Sequence, residues 1–188
     1  QVQLLDASAF EAEVDGKQVS LYTLQAGELT MQVTNFGARV VTLWTPDKSG
    51  NQEDIVLGYN NLENYVNNPG ERFLGAVVGP YANRIAKGTY TIGDQVYNFP
   101  QNNNGQTLHG GLKGLDMVVW DVDTLTTDSI VFSYLRPDGQ EGMPGNLKIV
   151  MTYTLTPENE FRVDYLAQTD KATHVNISHH SFFNLKGE

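Results

Sequence analysis

The side chains in this chain best suited to moving protons are four histidines: His109, His174, His179 and His180. An unperturbed imidazole titrates at about pH 6.5, so it can give or take a proton close to neutrality. No cysteine is present, which excludes disulfides, thiolate nucleophiles and cysteine-based zinc sites. The chain also lacks a GxxxxGK[ST] phosphate loop, a GxGxxG turn, HExxH and GxSxG. The histidines and the polar loops around them are therefore the features left to carry chemistry.

The adjacent pair His179-His180 invites a metal reading, which strand geometry opposes. If residues 173–182 run as a strand, neighbouring side chains project to opposite faces. Val175, Ile177 and His179 then share one face, and Asn176, Ser178 and His180 the other. Two histidines on opposite faces cannot hold one ion, so no metal site is expected. The Asn176, Ser178, His180 face suits the lining of a cleft, although a polar histidine in a strand is also consistent with a solvated or internally satisfied side chain.

His109 precedes Gly110-Gly111, where the backbone can turn sharply and let a ligand approach. Asn83-Arg84 ends another Gly/Asn-rich stretch. A guanidinium fork beside an amide can donate several hydrogen bonds to sugar hydroxyls; a surface salt bridge is the plainer alternative. Residues 67–84 and 98–114 are rich in Gly, Asn and Pro, and structureless segments of that length inside a domain are usually functional rather than plain connections.

The elements that must position these residues read as strands. Leu29, Met31 and Val33 alternate with Thr30, Gln32 and Thr34. Ile130, Phe132 and Tyr134 continue the pattern, followed by Leu147, Ile149, Met151, Tyr153 and Leu155, then Phe161, Val163, Tyr165 and Ala167. Such alternation puts one face of a strand on a core and the other toward water or a cleft. Asp15-Gly16 and Gly93-Asp94 predict hairpins, and Asp138-Gly139 and Pro157-Glu158-Asn159 predict further turns. One short helical turn is expected over Leu62–Val66. The fold class is all-β, an antiparallel β-sandwich in one structural unit.

Composition narrows the partners. Acids outnumber bases 22 to 12, for a formal net charge of −10. Lys and Arg are scattered singly, so no basic stripe is available for nucleic acid or an anionic membrane. The apolar runs are far shorter than the ~20 residues needed to cross a bilayer as a helix. The chain begins at Gln1 without a visible signal peptide, a pattern that tilts the expectation toward a removed leader and a periplasmic or secreted location.

Six segments together resemble the aldose 1-epimerase (galactose mutarotase) family. They are NFGARVVTLWTPDKSGNQEDIVLGY (35–59), GPYANRIAKGTY (79–90), NNGQTLHGG (103–111), GLDMVVW (114–120), DGQEGMPGNLKIVMTYTL (138–155) and NISHHSFFNL (176–185). They run in family order from residue 35 almost to the end. The resemblance implies a galactose mutarotase type sandwich (a supersandwich) with the sugar in an open cleft. It implies His180 as general acid, His109 as its partner against the sugar ring, and Arg84 and Asn83 as binders of sugar hydroxyls. Where this chain has His179 the family usually has Asn, so His179 receives no catalytic role. Interconverting α and β anomers of a free hexose requires a base at the anomeric hydroxyl and an acid at the ring oxygen, with no cofactor and no metal.

The family's catalytic Glu and a sugar-binding Asp lie well beyond the His-Ser-Phe-Phe-Asn-Leu stretch. Glu188 is too near His180 in sequence to replace that Glu. The expectation is that residues 1–188 are the N-terminal portion of a single sandwich domain, completed by a remaining C-terminal segment of the same protein. Arg72 and Arg84 are the only arginines flanking the first loop, too few for a sugar phosphate, which favours a neutral monosaccharide. Two other classes compete. One is a non-catalytic carbohydrate-binding module using Trp44, Trp120 or some of the nine tyrosines as stacking platforms. The other is a domain of a polysaccharide-cleaving enzyme, which would need a carboxylate pair that nothing here singles out.

Overall fold

Strand alternation and turn residues divide the chain much as the pattern predicts. The computed structural model describes residues 1–187; Glu188, weighed above as a substitute base, lies outside them. β1 (Ala12–Val14) and β2 (Lys17–Val19) form the hairpin around Asp15-Gly16. β3 (Leu21–Ala26), β4 (Leu29–Thr34), β5 (Arg39–Pro46) and β6 (Gln52–Asp54) pair antiparallel in sequence order as a four-stranded sheet.

The short helix α1 (Leu62–Asn67) follows. Asn61 caps it by accepting from the Asn64 N–H, and Asn68 ends it in the left-handed region. β7 (Ala76–Val78) and β8 (Arg84–Ile85) lead to the hairpin of β9 (Thr89–Ile92) and β10 (Gln95–Asn98) around Gly93-Asp94. After β11 (Thr107–Leu108) comes a second four-stranded sheet, β12 (Asp121–Leu125), β13 (Ser129–Arg136), β14 (Leu147–Leu155) and β15 (Phe161–Thr169). β16 (Ser178–His180) returns to pair with β7.

The two large sheets face each other across the main core. Leu24, Met31 and Val33 from the first meet Ile130, Phe132 and the inward side chains of β14 from the second, with Trp120 among them. Leu147, Ile149, Met151, Tyr153 and Leu155 are all fully buried. Burial of one such side chain is worth about 1.5–3 kcal/mol, so this alternating run anchors the second sheet.

Three expectations change. The polar face of β4 is not toward water: Thr30, Gln32 and Thr34 are buried as deeply as the apolar face. Gln32 reaches the N-terminal segment, accepting from the Leu5 N–H at 2.9 Å and donating back to the Leu5 carbonyl at 3.3 Å. A second apolar cluster including Phe10, Val19, Phe36, Val41 and Tyr65 covers that side of the sheet.

The loop at 67–84 is not structureless, because Ala76–Val78 forms a strand with no exposed residue. A three-residue apolar run carries no period from which a strand could be read. β15, expected to be half-buried by its alternation, is largely exposed: it is an edge strand, and Tyr165 and Leu166 are 38% and 57% accessible. Among the described residues, no helix is long and apolar enough to cross a membrane.

Candidate active site

The site grows from the β7–β16 pairing. His180 lies opposite Ala76 and His179 opposite Val77. Opposite projection of the two histidines follows as predicted: His179 packs edge-on against the rings of Tyr153 and Phe161, while His180 meets His109, Phe73 and Phe182. Among the described residues, no group of three potential ligands could hold a metal ion.

His109 is placed by a reciprocal clasp between the two Gly/Asn-rich loops. Its backbone N–H donates to the Asn83 carbonyl at 3.0 Å, and the Asn83 N–H donates to His109 Nδ1 at 2.9 Å. Both residues are in the left-handed region, with φ of 65° for Asn83 and 49° for His109. Gly110 follows at φ 89°, and a Cβ there would collide with the Gly79 carbonyl oxygen. Only glycine lets the His109 loop approach the Gly79 backbone so closely.

The clasp also sets the proton on His109. With Nδ1 accepting, the neutral imidazole carries its hydrogen on Nε2. Burial, reinforced by His180, Arg84 and Arg72, pushes the His109 pKa down to about 4, with Glu71 pulling the other way. At neutral pH this residue is therefore an uncharged hydrogen-bond donor. Its ring lies near-perpendicular to that of His180, with centroids 5.0 Å apart, and packs edge-to-face with the Phe73 ring at 4.7 Å.

Both rings border an open cleft of about 350 Å³, lined also by Val78, Ala82, Asn83, Ser178, His179 and Ser181. Of the four residues singled out from the sequence, His109, His180 and Asn83 thus meet there. Arg84 stands beside the cleft rather than in its wall. Its Nη1 donates to the Asn83 side-chain oxygen and its Nε to Asn103 Oδ1, both at 3.2 Å, and no carboxylate pairs with it among the described residues. The surface salt bridge considered for it is not what holds it. No carboxylate lines the cleft among the described residues.

Other contributors escaped the sequence reading. Arg72 donates to both carboxylate oxygens of Asp116, at 2.8 and 3.1 Å, and to the Gly111 carbonyl at 3.1 Å. Its guanidinium covers the Phe73 ring at 4.8 Å. Asp116 is fully buried and lies 3.8 Å from the equally buried Arg39. Arg72 is thus spent on bracing the two loops and is not available to a phosphate. The pairing joins residues 44 apart, and nothing in the local sequence marks it. Trp120 is fully buried, so it fills the core and cannot stack on a sugar.

A family model described as Aldose 1-epimerase matches residues 20–188. Galactose mutarotase of Mus musculus is 40% identical over 173 residues, covering 92% of this chain and 49% of the mouse protein. Aldose 1-epimerase of Escherichia coli K12 is 34% identical over 176 residues, covering 93% of this chain and 50% of its own length. The crystal structure of a GalM/aldose epimerase homologue from C. elegans superposes with a TM-score of 0.85 at 31% identity, covering 90% of this chain and 52% of that one. Galactose 1-epimerase from Lactobacillus acidophilus gives a TM-score of 0.79, also at 31% identity, over 93% and 52% of the two chains. The chain spans about half the length of the curated relatives it matches.

Proposed function

The chain belongs to the aldose 1-epimerase family, and on that premise we propose that it supplies the acid side of a mutarotase site for a free, neutral hexose. The observation that carries the reading is the perpendicular His109–His180 pair in the wall of an open cleft, with Asn83 beside it. His180 protonates the ring oxygen as the ring opens. Neutral His109 donates from Nε2 to a sugar oxygen and keeps the ring face against His180. Asn83, whose side-chain oxygen is taken by Arg84, offers its amide hydrogens to a hydroxyl, and Arg84 supports it from outside.

The base that takes the anomeric proton comes from the remaining C-terminal segment of the same protein, which packs on this half to close the sandwich. Ring opening, rotation about the bond from the anomeric carbon to its neighbour, and closure give the other anomer. Opening breaks the bond between the anomeric carbon and the ring oxygen and leaves an aldehyde, and closure re-forms that bond. Since no oxidation state changes overall, neither a metal nor a redox cofactor enters the balance.

Polarimetry of freshly dissolved α-D-glucose or α-D-galactose with the full-length protein tests the reading. The expected result is acceleration that falls by about 10²–10⁴-fold in His180→Ala, the usual contribution of a positioned acid or base. One other reading is a carbohydrate-binding module. Sugar binding without acceleration by the full-length protein would establish that reading instead.

A further inference from the structure

His179 does not touch the His109–His180 pair through its own ring, yet it is the middle of a hydrogen-bond relay that ends in the cleft. Tyr153 Oη lies 2.7 Å from the Ala38 carbonyl oxygen and 3.2 Å from His179 Nδ1. A carbonyl only accepts, so the single phenolic hydrogen goes to Ala38. Tyr153 Oη must then accept from His179, which puts the imidazole hydrogen on Nδ1. A neutral imidazole has one hydrogen, so Nε2 is bare. Ser181 Oγ, 2.5 Å from Nε2, donates its hydrogen there.

The direction is enforced from every side of the ring. Tyr153 and Phe161 pack edge-on against it, and no acid pairs with it among the described residues. Burial, with His180 adding to it, lowers the His179 pKa to about 4. The doubly protonated ring that would reverse the Ser181 bond is therefore confined to acid. Burial likewise raises the Tyr153 hydroxyl well above its ordinary value, so the phenol keeps its hydrogen.

We propose that Ser181 is a specificity-determining residue of the sugar cleft: with its hydrogen committed to His179, its oxygen can only accept, and it reads a substrate hydroxyl that donates. The assignment rests on the mutarotase reading above and extends it to the residue that follows His180, in the lining of the same cleft. His179 and Tyr153 are positioning residues. Serine in an ordinary site can donate or accept; here the relay removes the choice. A site built to receive one hydroxyl hydrogen discriminates against an analogue that lacks it, because its own acceptor is left unpaired.

The test uses the full-length protein with the 2-, 3-, 4- and 6-deoxyfluoro analogues of its preferred hexose, since fluorine cannot donate. Mutarotation and binding by isothermal titration are both measured. One analogue is expected to lose about 10-fold or more in kcat/KM, mainly through KM, and Ser181→Ala is expected to shrink that loss to within about 3-fold while raising KM for the parent sugar. Nitrogen-15 NMR of labelled histidine should show His179 in the Nδ1–H form at pH 7; the Nε2–H form overturns the relay. Mutarotation with no Ser181-dependent fluorine effect overturns this proposal and spares the catalytic one. Binding with that effect but no mutarotation does the reverse, and failure of both binding and turnover removes both.

Discussion

The enclosed imidazole of His179 ties the stability of the protein to pH, and replacing it by Asn isolates that link. The ring is held neutral with a pKa of about 4, against an ordinary value of 6.5. When the chain unfolds, the imidazole returns to its ordinary value and binds a proton anywhere below about pH 6.5. Between the two values the unfolded state therefore holds more protons, and stability falls as pH falls.

The contribution is fully present above pH 6.5, is lost progressively down to about pH 4, and is constant below that. For a shift of this size, lowering the pH from 7 to 4.5 removes about 2 kcal/mol through this residue alone. His109 is depressed in the same direction, but it is half-exposed to solvent, so its share is smaller. Urea denaturation of the full-length protein at both pH values, compared with His179→Asn, gives the difference directly. The wild type should lose about 2 kcal/mol more than the variant on acidification. Equal losses in the two proteins, within about 0.5 kcal/mol, would refute the argument that burial holds this ring neutral.

Two further changes probe the braces behind the cleft. Asp116→Asn leaves Arg39 fully buried beside Arg72 without its carboxylate, and should destabilise the protein by about 3–5 kcal/mol in chemical denaturation. Gly110→Ala meets both a left-handed backbone and the Gly79 carbonyl. The displaced His109 loop should lower kcat/KM for mutarotation by about 10²-fold, and the crystal structure of the variant should show the Asn83–His109 clasp opened.

What the sequence disclosed depended on the range of the interaction. β14 was legible because its period-two pattern is local and its burial follows it residue by residue. The hairpins at Asp15-Gly16 and Gly93-Asp94 were legible because a two-residue turn needs particular residues. The opposite fates of His179 and His180 followed from strand alternation alone. In contrast, Gln32 looked like a solvent-facing residue until the N-terminal segment covered it. Arg72 and Asp116, or Tyr153 and His179, find each other only through the fold. The same apolar alternation on β14 and β15 leads to a core strand in one case and an exposed edge in the other. Periodicity reports which face prefers burial; what covers that face is decided elsewhere in the chain.

The pairing of β7 with β16 joins positions 76–78 to positions 178–180, a separation of about a hundred residues. The pairing itself is only three residues long. The two four-stranded sheets arise from neighbouring hairpins and need no help from β16. A small local opening at β16 can therefore part the imidazoles while the sheets stay folded. Amide exchange at residues 178–180 faster than in β14 would be the mark of a histidine pair that is released before the sheets open.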